Sequence, residues 1–543
     1  MWGGHSTPGR PVPEGQAVFT PMTMVPVSRE GVNGLNDSRL ELTTTSEAGT
    51  RQLGQDIAMA INRGVIHLKG DLGSGKSVLA RAMIRQLCDD DELEVPSPTF
   101  SLVQVYSAAD RNGGGEIIHA DLYRIADPSE CGELGLGTPD ADALAIVEWP
   151  ENGGGDLAAA DLEITLSERA DDPPECRHVA IAGEAGALAA IGRSLAIRAF
   201  LDKGWVTGVR RARLQGDAST RSYETVSAGG EGRILMNAPR QPDGPVIRDG
   251  KPYSQIAHLA EDVSAFVGVA AILQAAGLAV PHLHGSDLEA GLILLEDLGN
   301  GQIIDENRTP IRERYLASAA MLAAFHRQPL VGAHKLPNGA VHHVPAYDRS
   351  AMLIEAELLT DWYLPRFRGR QATEAEKTSF AAIWNSMIDQ LDDSEKRLCM
   401  RDFHSPNIIW RDGRQGHDRV GLIDFQDAVV GPSAYDLASL AQDARVDVSP
   451  SLEAELVRHY CELRGTGGNF DEAAFRRDYA IMAAQRATKI LGIFVRLDAR
   501  DGKPGYLRHL PRLQDYLKRC LSHPVLADYR RWFEEMFGES GSA

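Results

Sequence analysis

Cysteine is scarce and scattered in this chain. Six occur in 543 residues, at positions 88, 131, 176, 399, 461 and 520. None forms a CxxC pair and no Cys/His cluster has zinc spacing, which argues against a disulfide scaffold and a structural zinc site. Sparse unpaired thiols fit a reducing cytosol. Also missing is any run of about 18 apolar residues, so no transmembrane helix is expected. The most apolar long stretch, residues 179–200, carries Glu184, Arg193 and Arg198. The amino end lacks the charged-then-apolar pattern of a secretory signal, and the expected location is the cytoplasm. Basic residues are in deficit, 56 against 76 acidic, for a formal charge of −20. Such a surface disfavours strong direct nucleic-acid binding, a local basic patch aside. The adjacent pair His342–His343 is too small a ligand set for a metal and reads as a plain loop.

What is present is ordinary for a soluble globular protein: 43% apolar and 24% charged residues. The length predicts three or four hydrophobic cores. No internal repeat is found. Residues 1–35 are rich in Gly, Pro and Ser and read as a disordered leader, or as a start codon placed too early. From 36 to 192, short apolar runs alternate with helical patterns, an α/β organisation. From 193 to 543, short strands (VRRARLQG, YETVSA, RILMNAP) precede long helices, an α+β pattern of a small sheet lobe and a helical lobe. A helix near 187–202 joins the two regions, and no Pro/Ser-rich linker marks the boundary.

Gly70-Asp71-Leu72-Gly73-Ser74-Gly75-Lys76-Ser77 fits GxxxxGK[ST] in full, after the predicted strand VIHLKG and before the predicted helix SVLARAMIRQL. The glycines let backbone N–H groups converge on phosphate oxygens, and the helix dipole favours an anion there. Lys76 then meets the β/γ-phosphates, and the Ser77 hydroxyl ligates Mg²⁺. Asp121 in HADLYR and Glu148 in AIVEWP end predicted strands, where a metal carboxylate belongs; local sequence alone also allows surface carboxylates. Thr99 in SPTF is either a catalytic hydroxyl or part of a plain turn.

The series EAGTRQLG, GDLGSGKS, SPTFSLV, HADLYR, ELGLG and VEWPENG resembles the bacterial TsaE ATPase family, in unbroken order over about residues 40–186. The resemblance implies that Ser77 and Glu148 hold Mg²⁺ and that Lys76 binds phosphate. It places Asp121 and Thr99 in a switch-like catalytic environment, Trp149 beside the metal carboxylate, and Thr50 and Leu53 near the nucleotide base. It also implies ATP hydrolysis in support of threonylcarbamoyladenosine formation in tRNA. There the ATPase docks on a threonylcarbamoyl-transferase complex of TsaD- and TsaB-like proteins and does not grip the RNA.

Residues 400–427 carry a second site. Asp402 and Asn407 have the D-x-x-x-x-N spacing of a kinase catalytic loop, and Asp424 follows in Ile-Asp-Phe-Gln, between apolar strands IIW and GLIDF. Asp402 would take the proton of an attacking hydroxyl, while Asn407 and Asp424 would hold Mg²⁺ against ATP. The runs LLEDLGNG, RDFHSPNIIW and LIDFQDAVVGPSAYDLASLAQDARVDV resemble the aminoglycoside-phosphotransferase superfamily over about 196–530. Within it they are most similar to amino-sugar kinases of the AmgK type, which act on C1 of N-acetylmuramate and N-acetylglucosamine in cell-wall recycling. GDASTRSY (216–223) resembles their nucleotide loop, and Glu296 and Leu298 would frame adenine through backbone groups.

One departure stands out: RILMNAP has no lysine where the superfamily places its ATP-binding one. Met236 or Asn237 stands there instead, and Arg221 and Arg233 are candidate replacements. His404 is read as orienting the loop or touching sugar. Asp427, Asp436 and Asp443 are open between catalysis and structural hydrogen bonding. Tyr479, Met482, Trp532, Phe533 and Met536 are expected in the core.

The expected whole is an α/β P-loop NTPase domain followed by an α+β, protein-kinase-like (aminoglycoside phosphotransferase) two-lobed domain, each using ATP and Mg²⁺. A regulatory pseudokinase, a kinase for another hydroxylated small molecule, and a non-enzymatic scaffold are the alternatives.

Overall fold

Helix formation in the first region begins at Ser46, whose hydroxyl accepts the Gly49 N–H at 3.1 Å, satisfying one of the open donors of the first turn. The computed structural model describes residues 23–24, 39–125, 127–214, 221–466 and 468–538. The expected leader (apart from Thr23–Met24) and residues 216–220 of the GDASTRSY loop lie outside the described residues. The chain divides into two compact units, Met1–Arg233 and Ile234–Ala543.

The first unit runs β1 (Thr23–Met24), β2 (Arg39–Thr44), α1 (Glu47–Ala60), β3 (Gly64–Lys69), α2 (Lys76–Cys88), β4 (Val103–Ser107) and β5 (Glu116–Asp121). It continues through α3 (Glu130–Glu133), β6 (Leu144–Glu148), β7 (Leu162–Ser167), β8 (Arg177–Gly183), α4 (Ala185–Gly204), β9 (Arg210–Leu214) and β10 (Ser222–Ala228). Eight strands form one sheet in the order β1-β2-β8-β7-β3-β6-β5-β4. β3 lies between β6 and β7 and is parallel to both, and β5 is parallel to β6. The central strand β6 (LAIVE) is buried at every position, as expected where both faces of a parallel sheet are covered. α1 and α2 approach closely at Gly54, where a Cβ would stand 2.7 Å from the Leu79 carbonyl oxygen.

A second, polar core holds α1, α4, β9 and β10 together. Asp56 of α1 is fully buried and receives Arg198 Nη2 of α4 at 2.9 Å and Arg211 Nη1 of β9 at 2.9 Å. Arg211 also pairs with Glu224 of β10 through Nε at 2.7 Å and Nη2 at 2.8 Å. Ser194 Oγ donates to the Asp56 carbonyl oxygen at 2.7 Å. Two carboxylates meet two guanidiniums, so the cluster is neutral. β9 is tied down on either side as well: Arg210 pairs with Asp89 at 3.0 Å, and Arg213 donates to the Met59 carbonyl oxygen at 2.8 Å.

In the second unit, the 30-residue helix Glu472–Asp501 runs through the main hydrophobic core. Met482, Trp532 and Phe533 belong to that core, with Tyr479 and Met536 packed against it. Two short antiparallel ladders frame the segment 400–428. Lys396–Cys399 pairs with Val429–Pro432, and Ile408–Trp410 pairs with Val420–Leu422. Residues 400–407 and 423–428 are thereby brought side by side. One expectation is corrected here. His342–His343 lie on the strand Val341–His343, paired with Ala333–Lys335, and not in a plain loop. Alternation along that strand turns His342 inward over Gly268 and leaves His343 exposed.

Replacing Asp56 by Ala strips buried Arg198 of its paired carboxylate and leaves Arg211 with Glu224 alone. The expected cost is about 3–5 kcal/mol, read as a lowered urea midpoint of the full-length protein; Asp56→Asn should lose less.

Candidate functional site

The phosphate cradle is the turn between β3 and α2. Gly70 has φ +137°, and a Cβ there would stand 2.2 Å from the Leu166 carbonyl oxygen of β7, so no side chain fits. Gly73 and Gly75 also have positive φ (84° and 101°). Asp71, Leu72 and Gly73 are exposed at the loop tip, whereas Ser74 is buried and its Oγ has no partner. Lys76 Nζ donates to the Gly70 and Asp71 carbonyl oxygens at 2.6 and 2.9 Å and lies 3.8 Å from the Trp149 ring centre. Burial lowers its pKa, against the pull of Glu148, Glu151 and other acids.

Parallel register puts Asp121 of β5 opposite Glu148 of β6, so both carboxylates emerge at the same sheet edge. Ser77 Oγ donates to Glu148 Oε2 at 2.8 Å, and His119 Nε2 lies 3.0 Å from Glu148 Oε1. Thr99 and Ser97 hydroxyls donate to Asp121 Oδ2 at 2.7 and 3.0 Å. Thr50 is buried, with its hydroxyl 2.8 Å from that of Thr44; a Cβ on Gly75 would stand 3.7 Å from its methyl group. Leu53 is completely buried in the core.

In the second unit, Asn407 Nδ2 donates to the Asp402 carbonyl oxygen at 3.0 Å and lies 3.4 Å from Asp424 Oδ2. Gln426 Nε2 donates to Asp424 Oδ1 at 3.0 Å. Asp424 has φ +58° and Arg401 has φ +69°, non-glycine residues held in the left-handed region by their surroundings. Asp436 accepts the Met400 and Arg401 N–H groups at 2.7 and 2.9 Å, and Asp443 accepts that of Ser405 at 2.9 Å. Asp427 accepts the Ala260 N–H at 2.6 Å. All three thus make structural hydrogen bonds. Beneath the loop, buried Glu355 binds Arg401, Lys489 at 3.1 Å and the Tyr347 hydroxyl at 2.5 Å.

Asp402 opens into a cavity whose walls include His404, Arg486 and Lys489. Burial alone would raise its pKa, but the field of His404, Lys489, Arg486 and Arg401 outweighs this and holds it below the ordinary carboxylate value. It therefore stays ionised and able to accept a proton. Glu296 ends the strand Leu292–Glu296 and accepts the His282 N–H at 3.1 Å. Leu298 Cδ1 packs 3.1 Å from the Cβ position of Gly421. Met236 is buried, and Arg233 stacks 4.1 Å from the Trp205 ring centre.

Residues 44–178 match the family profile of the threonylcarbamoyl adenosine biosynthesis protein TsaE, and 211–476 match the phosphotransferase enzyme family. An N-acetylmuramate/N-acetylglucosamine kinase of Caulobacter vibrioides is 37% identical over 353 residues, 63% of this chain and 96% of the relative. A tRNA threonylcarbamoyladenosine biosynthesis protein TsaE of Rickettsia bellii is 33% identical over 132 residues, 24% of this chain and 88% of the relative. Another, of Haemophilus influenzae, is 38% identical over 103 residues, 19% of this chain and 61% of the relative. The chain belongs to both families.

It is an ATPase in its TsaE-family region and an ATP-dependent phosphotransferase in the other. The expected pairing of a P-loop α/β domain with an α+β phosphotransferase fold holds. Among the described residues no group of three or more His, Cys, Asp or Glu side chains has metal-site geometry, and no helix is long and apolar enough to cross a membrane. The donor sets Ser77/Glu148 and Asn407/Asp424 consist of hydroxyl, carboxylate and amide oxygens, which suit Mg²⁺ completed by phosphates and water.

Three contributors of the TsaE-family site and the phosphotransferase loop escape sequence reasoning. Arg177 of β8 donates to the Ser74 and Gly73 carbonyl oxygens at 2.9 and 3.2 Å. His119 sits two residues before Asp121, in the motif HADLYR itself, and alternation places it beside Glu148. Glu355 lies 46 residues before Arg401 and carries no local signal.

Lys76→Ala should reduce ATP hydrolysis, measured without a sugar acceptor, by about 100-fold or more; undiminished hydrolysis would remove the phosphate role of Lys76. Buried His404 has its pKa lowered to about 4 by desolvation. The folded state therefore disfavours the imidazolium, and stability is lost as pH falls from the unfolded value near 6.5 towards 4. His404→Gln should flatten that part of a pH–stability curve measured by urea unfolding.

Proposed function

We propose that residues 36–192 form a Mg-ATPase supporting threonylcarbamoyladenosine modification of tRNA, and that 193–543 form an amino-sugar kinase. The first activity works through a threonylcarbamoyl-transferase complex of TsaD- and TsaB-like proteins. The acidic net charge of −20 supports action through proteins over direct grip on RNA. Free, scattered cysteines support a cytoplasmic site.

The kinase reading is carried by Asp402, an ionised carboxylate facing a cavity beside the Asn407/Asp424 pair. Its acceptor is a hydroxyl of N-acetylmuramate or N-acetylglucosamine, the sugars on which the Caulobacter relative acts, and the resemblance to AmgK-type kinases points to the anomeric one. Asp402 takes the hydroxyl proton as the C1 oxygen bonds to the γ-phosphorus of ATP. The bond from that phosphorus to the bridging oxygen breaks, and ADP leaves. Asn407 and Asp424 would hold Mg²⁺, which would supply charge neutralisation at the phosphates. The backbone clamps of Asp436 and Asp443 keep the loop fixed while this happens. In the ATPase region, Lys76, Ser77 and Glu148 have the corresponding duties, and Asp121 with Thr99 forms the switch-like group.

Full-length protein with ATP and N-acetylmuramate should yield sugar 1-phosphate, and Asp402→Asn should cut turnover by about 100- to 10,000-fold. Failure to turn over any amino sugar would overturn the kinase assignment in favour of a regulatory module or another hydroxylated substrate.

A further inference from the structure

The cavity beside Asp402 carries an uneven charge. One wall is a single face of the helix Glu472–Asp501, which presents Arg486, Lys489, Ile493 and Arg496 to it. Their spacing of three and four residues places them on one stripe. Two of the three cations are already engaged by the protein. Lys489 lies 3.1 Å from Glu355, and Arg486 is buried with Nη1 donating to the Gln442 carbonyl oxygen at 3.0 Å.

Arg496 is different. Its guanidinium carbon stands 4.9 Å from the Tyr253 ring centre, and its Nε is buried without a hydrogen-bond partner. Tyr253 also hydrogen-bonds it and Asp501 acts on it electrostatically, but among the described residues no carboxylate stands within ion-pair distance of it, and Asp501 is held by Arg500 at 2.6 Å. A buried N–H of a charged group left unbonded is costly unless a ligand completes it. The planar fork of a guanidinium fits a carboxylate through two parallel bonds.

The two sugars in the relatives' names differ in this respect. N-acetylmuramate carries a lactyl carboxylate on C3, two ring positions from the reacting C1 hydroxyl, and N-acetylglucosamine has a neutral hydroxyl there. We propose that Arg496, steadied by the face of Tyr253, recognises the lactyl carboxylate and sets a preference for the acidic sugar. This rests on the amino-sugar kinase reading above.

Steady-state kinetics of the full-length protein on both sugars, for wild type, Arg496→Gln and Arg496→Lys, separate the possibilities. With Arg496→Gln, kcat/KM for N-acetylmuramate should fall about 10- to 100-fold, mainly through KM, while that for N-acetylglucosamine stays within about twofold. Arg496→Lys should recover part of the loss, and the methyl ester of N-acetylmuramate should be insensitive to all three residues at 496. Equal losses on both sugars, or none, would overturn the carboxylate role and leave the kinase reading standing. Turnover of neither sugar by wild type would overturn that reading and the carboxylate role together.

Discussion

Asp56 is a carboxylate with no access to water, and its two oxygens are met by guanidiniums from a helix and a strand more than 140 residues further along the chain. Taking such charges out of water costs several kcal/mol each, and only a complete set of partners offsets it. The set is complete here: Arg198 and Arg211 on Asp56, Glu224 on the far side of Arg211, and Ser194 bonded to both. The geometry of α1, α4, β9 and β10 is therefore mutually dependent. α1 also carries Thr50 under the phosphate loop, so the cradle rests on a helix anchored by that ion-pair cluster.

The two proposed catalytic centres meet the same chemical demand with different backbones. In the P-loop region, parallel strands bring Asp121 and Glu148 to one edge, and the residue after Glu148 turns with φ +59° at Trp149. In the phosphotransferase region, two short ladders bring Asp402 and Asp424 together, and the sharp turn falls on Asp424 itself. Both arrangements put hard oxygen donors where phosphates with Mg²⁺ would bind. In each, a lysine at the site is held by the protein: Lys76 by two loop carbonyls, and Lys489 by Glu355.

Local pattern revealed most of the first sheet and marked the two segments proposed to handle phosphate, because strand alternation, glycine spacing and D-x-x-x-x-N are short-range features. The strands around Lys69, Asp121 and Glu148 and the helix after Lys76 stand where the periodicity puts them. What escaped was set by distance along the chain. Asp56 within an amphipathic helix reads as a solvated charge, and nothing near it announces Arg211. Glu355 escapes for the same reason. The His342–His343 loop assignment failed because a three-residue strand is too short to show alternation.

The first phosphotransferase-family residue of the match, Arg211, and the TsaE-family residue Asp56 hold each other within one compact unit. Inheritance follows from that contact. A gene fission between the two matched regions would give two products, each bearing a charge shaped for an absent partner. Recombination that exchanged one region for a homologue would have to bring a compatible residue with it. The join between the two activities is therefore a place where the sequences on either side can drift only in concert.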